Sequence, residues 1–234
     1  MAEQSHPPHP AVEDVVDHSA GSDASLSWHG GNCKSLIEIS RKVGPVPLSS
    51  PIESIETDSL IGLRDRALIG VMVYSFARIS AVVAMNVGDY WHQGKRSFLR
   101  LHEKGGKDHE VPCHHKVIEY LDASIAAAGI AGDDANNKGP LFRSMLKRTR
   151  ALSPARLHRL NALSMIKRRA LAAGLSSRIC CHTFRATGIT NFLTNGGTVE
   201  QAQAIAAHES PRTTKLYDRR GEEISLDAIE RIMI

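Results

Sequence analysis

Apolar residues recur at steps of three and four from position 58 onward, and this spacing predicts a mainly helical body. The first predicted helix begins after Asp58 and places one apolar stripe on its inner side, formed by Leu60, Leu63, Ala67, Leu68, Val71 and Met72. A second helix is expected from about Arg78 to Met85. The same reasoning predicts further helices over 116–128, 154–173, 182–195 and 199–207.

One stretch has a different pattern and predicts a β-hairpin over 97–112. Phe98, Leu99 and Leu101 precede the sequence Lys-Gly-Gly-Lys, and Val111 follows it. A Gly-Gly pair between two short apolar runs is a common hairpin turn. The expected fold is therefore mainly α with a small antiparallel β-sheet or hairpin, in the α+β class.

Capping residues support the predicted helix ends in the last third of the chain. Gly196 and Gly197 end one helix, and Thr198 with Gln201 forms a capping box for the next. Pro211 can open the helix after that. Ser225 can cap a short C-terminal helix with an apolar side.

The N-terminal quarter has one short amphipathic stretch, 35–42, that favours a helix, and it otherwise lacks such a pattern. Prolines, glycines and serines interrupt residues 1–57, so we expect a poorly ordered segment there and one domain over 58–234. Charge divides the chain at nearly the same place. Residues 1–60 hold 3 basic and 9 acidic residues, which leaves 26 basic and 16 acidic residues for the remainder. A basic body favours nucleic acid as a partner.

A run of nine Lys and Arg without Asp or Glu spans 143–169, and it predicts contacts with a DNA backbone. The sequence shows no apolar run long enough to cross a membrane and no signal peptide pattern, which indicates a cytoplasmic protein. The cysteine spacing fits a reducing compartment and no disulfide framework. A zinc site is a minor alternative, and its ligands would come from Cys113, His114, His115, Cys180 and Cys181. No Walker-type phosphate loop is present.

Candidate chemistry is carried by six residues between positions 78 and 217: Arg78, Lys104, His182, Arg185, His208 and Tyr217. His182 and Arg185 lie three positions apart, so they share one helix face near a helix start. Arginine binds two phosphate oxygens at once and keeps its charge. Each residue alone has an ordinary structural explanation, such as a helix cap, a turn lysine or a core tyrosine.

The order and spacing of these residues resemble the catalytic set of the tyrosine recombinases, the phage integrase family. His208 follows His182 by 26 positions and precedes Tyr217 by 9, which matches the family pattern. The resemblance implies metal-independent cleavage and rejoining of DNA through a 3′-phosphotyrosine, without a cofactor. It assigns Tyr217 as nucleophile and Lys104 as acid. It places Arg78, Arg185 and His208 on the phosphate and gives His182 a role in proton transfer.

The resemblance also implies double-stranded DNA as substrate, a homo-tetramer on synapsed sites, a place at the nucleoid and a mobile genetic element as source. Two features depart from the family pattern. Residues 1–57 do not resemble its N-terminal core-binding domain, and Ala81 stands where relatives carry an acid that orients the first arginine. Two alternatives therefore stay open: a catalytically idle DNA-binding remnant and a relaxing type IB-like topoisomerase.

Overall fold

The computed structural model describes residues 52–103, 105–131, 138–146, 149, 151–176 and 178–218. In chain order, the described elements are helices α1 (Leu60–Tyr74) and α2 (Ile79–Ala84), a 3-10 turn (Val87–Asp89), strands β1 (Tyr90–Gln93), β2 (Arg96–Glu103) and β3 (Lys107–Pro112), helix α3 (His115–Ala128), strands β4 (Arg143–Met145) and β5 (Leu152–Arg156), and helices α4 (Arg159–Ala172), α5 (Cys181–Thr194), α6 (Val199–Ile205) and α7 (Pro211–Lys215). The fold is mainly helical with small antiparallel sheets, which confirms the predicted class.

Helix α1 forms the centre of the main hydrophobic core. Ser59 caps its first turn by accepting a hydrogen bond from the Gly62 backbone N–H at 3.2 Å. The helix contacts α2, α3, α4 and α5, so its apolar residues are buried on several sides. Ile52 and Ile55 are also buried in this core, and the packed body therefore begins a few residues before the predicted boundary at 58.

Strands β1, β2 and β3 form an antiparallel sheet in that order, and α2 packs against β2. The turn between β2 and β3 contains Gly105 and Gly106, both with positive φ, as the predicted hairpin requires. Leu99 and Leu101 of β2 are buried, whereas alternate residues face outward. The sequence pattern did not predict β1, because this four-residue strand has one fully buried position and no clear alternation.

The prediction of a helix over 154–173 is wrong in its first part. Residues Leu152–Arg156 form β5, which pairs with β4, and α4 begins only at Arg159 behind the N-cap His158. Tertiary contacts hold this segment extended. The Arg156 guanidinium donates to the carbonyl oxygens of Val83 and Met85 at 2.7 and 2.8 Å, so it closes the C-terminal end of α2.

Some of the basic residues in the run over 143–169 stabilise the fold through hydrogen bonds and ion pairs within the protein. Arg169 donates to the fully buried carboxylate of Asp65 at 2.9 and 3.0 Å, and Arg64 binds the same carboxylate. A buried carboxylate is tolerated when such charged partners compensate for its lost hydration. Arg156 and Arg169 thus contact the protein itself, while Lys167 and Arg168 are exposed. The predicted DNA-backbone contacts of this run stay a prediction.

The remaining helices follow the predicted order, and the capping box of Thr198 and Gln201 is present at the start of α6. Pro211 occupies the first turn of α7. The predicted helix after Ser225 and most of the predicted N-terminal segment lie outside the described residues. None of the described helices is long and apolar enough to cross a membrane.

Candidate active site

Arg185 connects two loops that carry other candidate residues. It lies one turn into α5, is 3% exposed, and donates to the main-chain carbonyls of Phe76 and Ala206, the second at 2.7 Å. These carbonyls belong to the loop after α1 and to the end of α6. The first loop leads to Arg78 and the second to His208. The Arg185 guanidinium therefore links, through hydrogen bonds, the loop that leads to Arg78 and the loop that leads to His208.

Backbone geometry at these two loops is unusual. Phe76 has φ of 54° and Ala207 has φ of 47°, and side-chain-bearing residues rarely adopt this left-handed region. Such conformations cost free energy and persist where surrounding contacts enforce them. Gly188 on α5 provides the space, because a Cβ there would lie 2.3 Å from the Val73 carbonyl oxygen and 2.9 Å from the Phe76 ring. A glycine is therefore required for α5 to approach the loop before Arg78.

His208 and Tyr217 lie close to His182, in the first turn of α5. Tyr217 is 2% exposed within a small second core, and its hydroxyl lies 3.1 Å from Nε2 of His182. The rings of His208 and Tyr217 stack at 5.9 Å between centroids. Nδ1 of His208 lies 2.9 Å from Oγ1 of Thr214, a fully buried residue on α7. The predicted histidines and tyrosine are thus neighbours.

Both histidines are neutral at physiological pH. Burial, followed by the positive charges of Arg185 and Arg78, lowers the pKa of His182 to about 4. The same causes, with His182 added, lower the pKa of His208 to about 3. Arg185 and Arg78 are thus the two cations whose charge acts on both rings. The site therefore combines two permanent cations with two neutral imidazoles.

Arg78 stands at the N-cap of α2 and is the most accessible member, with 43% of its side chain exposed. It does not lie free in solvent, because its guanidinium donates to the Glu103 carboxylate at 2.5 Å. Ala81, where the family pattern predicts an acid, is 1% exposed in the hydrophobic core. Lys104 lies outside the described residues, between Glu103 and the Gly105–Gly106 turn.

Two residues at the site were not predicted from the sequence. Glu103 could have been found from strand alternation, because residue 103 shares the inner face of β2 with Leu99 and Leu101. Thr214 gave no signal, because only the fold brings its hydroxyl to His208. Among the described residues, no three His, Cys, Asp or Glu side chains are grouped to hold a metal ion. The arrangement suits charge stabilisation on a phosphate and proton transfer at a phenol.

Sequence comparison finds relatives of this chain over most of its length. The sequence model of the phage integrase family matches residues 50–223, most of the chain. A tyrosine recombinase of Pseudothermotoga lettingae is 24% identical over 197 residues, covering 84% of this chain and 63% of the relative. Tyrosine recombinase XerC of Chlamydia muridarum is 29% identical over 162 residues, covering 69% of this chain and 48% of the relative. The chain thus spans from about half to under two thirds of these relatives' length.

Solved structures show the same fold. The XerH site-specific recombinase in a pre-cleavage complex with its difH substrate superimposes with a TM-score of 0.60 at 18% identity, over 84% of this chain and 51% of that one. The Tn1549 transposon integrase with transposon right end DNA gives a TM-score of 0.56 at 15% identity, over 79% of this chain and 63% of that one.

Proposed function

This chain belongs to the phage integrase family of tyrosine recombinases, and we propose that it cleaves and rejoins DNA strands at specific sites through a phosphotyrosine intermediate. The observation that carries this proposal is the set of groups beside Tyr217. Its hydroxyl lies 3.1 Å from Nε2 of His182, and its ring stacks on His208. Two arginines act electrostatically on His182. A tyrosine with a purely structural role in the core would not require this set of two neutral histidines and two cations that act on them.

In the proposed cleavage step, the Tyr217 oxygen attacks the scissile phosphorus, and the bond between phosphorus and the 5′ oxygen breaks. The phenol proton passes to Nε2 of His182, whose lone pair faces the hydroxyl when the tyrosine donates. The low pKa of His182 makes it a weak base in the free protein. The negative phosphate raises that pKa when it enters, because an anion favours the charged imidazolium. Lys104 gives its proton to the leaving 5′ oxygen.

The phosphate itself is held by charge and by one neutral donor. Arg78 and Arg185 are the cations whose charge acts on both histidines, and we assign to them the stabilisation of the charge that develops on the phosphoryl oxygens. When Nδ1 of His208 accepts from the Thr214 hydroxyl, the imidazole proton resides on Nε2 and is available to a phosphate oxygen. Because Tyr217 is 2% exposed, DNA binding has to open access to its hydroxyl.

Rejoining is the reverse of cleavage. A free 5′ hydroxyl gives its proton to Lys104, which cleavage left neutral, and attacks the phosphotyrosine. The bond between phosphorus and the Tyr217 oxygen breaks, and His182 returns its proton to the departing phenoxide. Phenoxide is a better leaving group than an alkoxide, so this step needs no nucleotide cofactor. The proposed partners are double-stranded DNA and three further copies of the chain on synapsed sites, at the nucleoid. The chemistry is proposed to lie in the second part, residues 58–234, whose packed core also includes Ile52 and Ile55 from the end of the first part, 1–57.

A nicked suicide duplex tests this proposal. Cleavage beside the nick releases a short oligonucleotide, so religation fails and the covalent protein–DNA adduct accumulates. We expect an adduct that survives denaturing electrophoresis with the natural chain and none with Tyr217→Phe. Binding without any adduct would support the idle remnant, and relaxation of a supercoiled plasmid that lacks a specific site would support the topoisomerase.

A further inference from the structure

We infer that Glu103 is a positioning residue that holds the Arg78 guanidinium in the orientation required for the scissile phosphate. The inference rests on the proposed function and goes beyond it, because the acid comes from the sheet and not from the helix that Arg78 begins. Arg78 is 43% exposed, and an arginine side chain of that accessibility loses considerable rotamer freedom when it is fixed. A contact that fixes it before DNA arrives reduces this cost in the reaction.

The geometry of Glu103 suits this task. Its side chain is only 7% exposed, and its carboxylate accepts from Arg78 at 2.5 Å. Residue 103 is the last residue of β2 on the inner face, and β2 packs against α2 and pairs with β3 through Glu103 opposite Lys107. The backbone that carries this carboxylate is therefore fixed by the sheet. Helix α2 offers no alternative, since its sequence from Ile79 to Ala84 contains no acid.

A surface ion pair would not justify this inference. Exposed pairs such as Arg100–Glu110 on the same sheet, with side chains 39% and 53% exposed, contribute little. The Arg78–Glu103 pair differs because the acid is buried and only the arginine reaches solvent. This is the arrangement expected when the arginine must present its remaining donors to an incoming anion.

Electrostatics separates positioning from simple attraction. A carboxylate beside a phosphate site repels the phosphate, so removing its charge should leave DNA binding unchanged or tighter. Orientation has the opposite consequence for chemistry, because a small misplacement of a catalytic group lowers the rate strongly. Glu103 also directly precedes Lys104, the proposed acid, in the sequence.

The test is single-turnover cleavage of the suicide duplex by Glu103→Gln, with DNA affinity measured in parallel. We expect cleavage to slow about 10- to 100-fold while affinity is equal or higher. Glu103→Asp should recover part of the rate, because it restores the charge one methylene further away. Glu110→Gln is the matched control: it removes the same charge from the neighbouring strand and should cleave at the natural rate.

Cleavage by Glu103→Gln within about twofold of the natural rate would overturn the inference and leave the proposed function intact. If the natural chain forms no adduct, the proposed function fails by its own test, and NMR of the Arg78 Nε–H group decides the positioning claim. We expect this signal to be well dispersed and rigid in the natural chain and averaged in Glu103→Gln. A signal unchanged by the substitution would overturn the inference in that case.

Discussion

Gly188→Ala tests whether the close approach of α5 to the Phe76 loop builds the active site. The added Cβ would lie 2.3 Å from the Val73 carbonyl oxygen, about 1 Å short of an ordinary contact. A backbone atom cannot rotate away, so the loop or the helix has to shift by about that distance. The carbonyl of Phe76 accepts from Arg185, and Arg78 follows two residues later. The shift therefore reaches both proposed phosphate ligands.

Two opposing effects set the stability change. Overpacking of a well-packed site costs about 1–3 kcal/mol, and alanine gains about 1 kcal/mol over glycine inside a helix. Because the clash involves backbone, we expect a net loss of about 1–2 kcal/mol in the free energy of unfolding. The effect on chemistry should be larger in proportion, since a displacement of 1 Å can lower a rate about 100-fold.

The assay combines urea denaturation with single-turnover cleavage of the suicide duplex under conditions where the variant is folded. Gly70→Ala is the matched control. It makes the same change inside α1, and its Cβ would meet the Tyr120 ring at 2.9 Å, on the side toward α3. We expect Gly70→Ala to lose stability but to keep its cleavage rate. A Gly188→Ala protein that cleaves within about twofold of the natural rate would refute the reasoning.

Three further predictions follow from the site. Arg185→Lys should slow cleavage more than about tenfold, because an ammonium cannot bridge the Phe76 and Ala206 carbonyls and also bind phosphate. A smaller loss in the same assay would indicate that Arg185 has a purely structural role. The lowered pKa values of His182 and His208, about 4 and 3, mean that the unfolded chain binds protons more readily than the folded one. The free energy of unfolding that the neutral histidines contribute above about pH 6.5 is therefore lost as pH falls, by up to about 2 kcal/mol per histidine at pH 5. His208→Gln should make the free energy of unfolding depend less on pH, as measured by urea denaturation at pH 7.5 and 5. Equal pH slopes in the two proteins would contradict it. EDTA should leave adduct formation unchanged, whereas inhibition reversed by zinc or magnesium would revive a metal site.

The sequence predicted the order of most helices, because amphipathic spacing, capping residues and Gly-Gly turns are local signals. The sequence pattern did not predict β1, and it extended the helix predicted over 154–173, which is α4, back into β5. In both cases the structure is decided by contacts with distant segments, such as Arg156 with the end of α2. The family model that matches residues 50–223 confirms the resemblance.

The candidate site was predicted less completely than the fold. Spacing along the chain identified His182, His208 and Tyr217, and the structure brings them together. Spacing could not show that Arg185 binds two main-chain carbonyls or that Glu103 contacts Arg78, since these partners are 21 to 109 positions apart in sequence. The roles of all six predicted residues stay predictions, and Lys104 lies outside the described residues.

The most direct measurement of the central claim is peptide mapping of the covalent adduct. The natural chain is trapped on a suicide duplex with labelled ends, digested with protease and nuclease, and sequenced by mass spectrometry. We predict one modified peptide, with the phosphate of the 3′ DNA end on Tyr217 and a free 5′ hydroxyl on the released strand. Modification of another residue, attachment to the 5′ end, or an adduct that persists in Tyr217→Phe would contradict it.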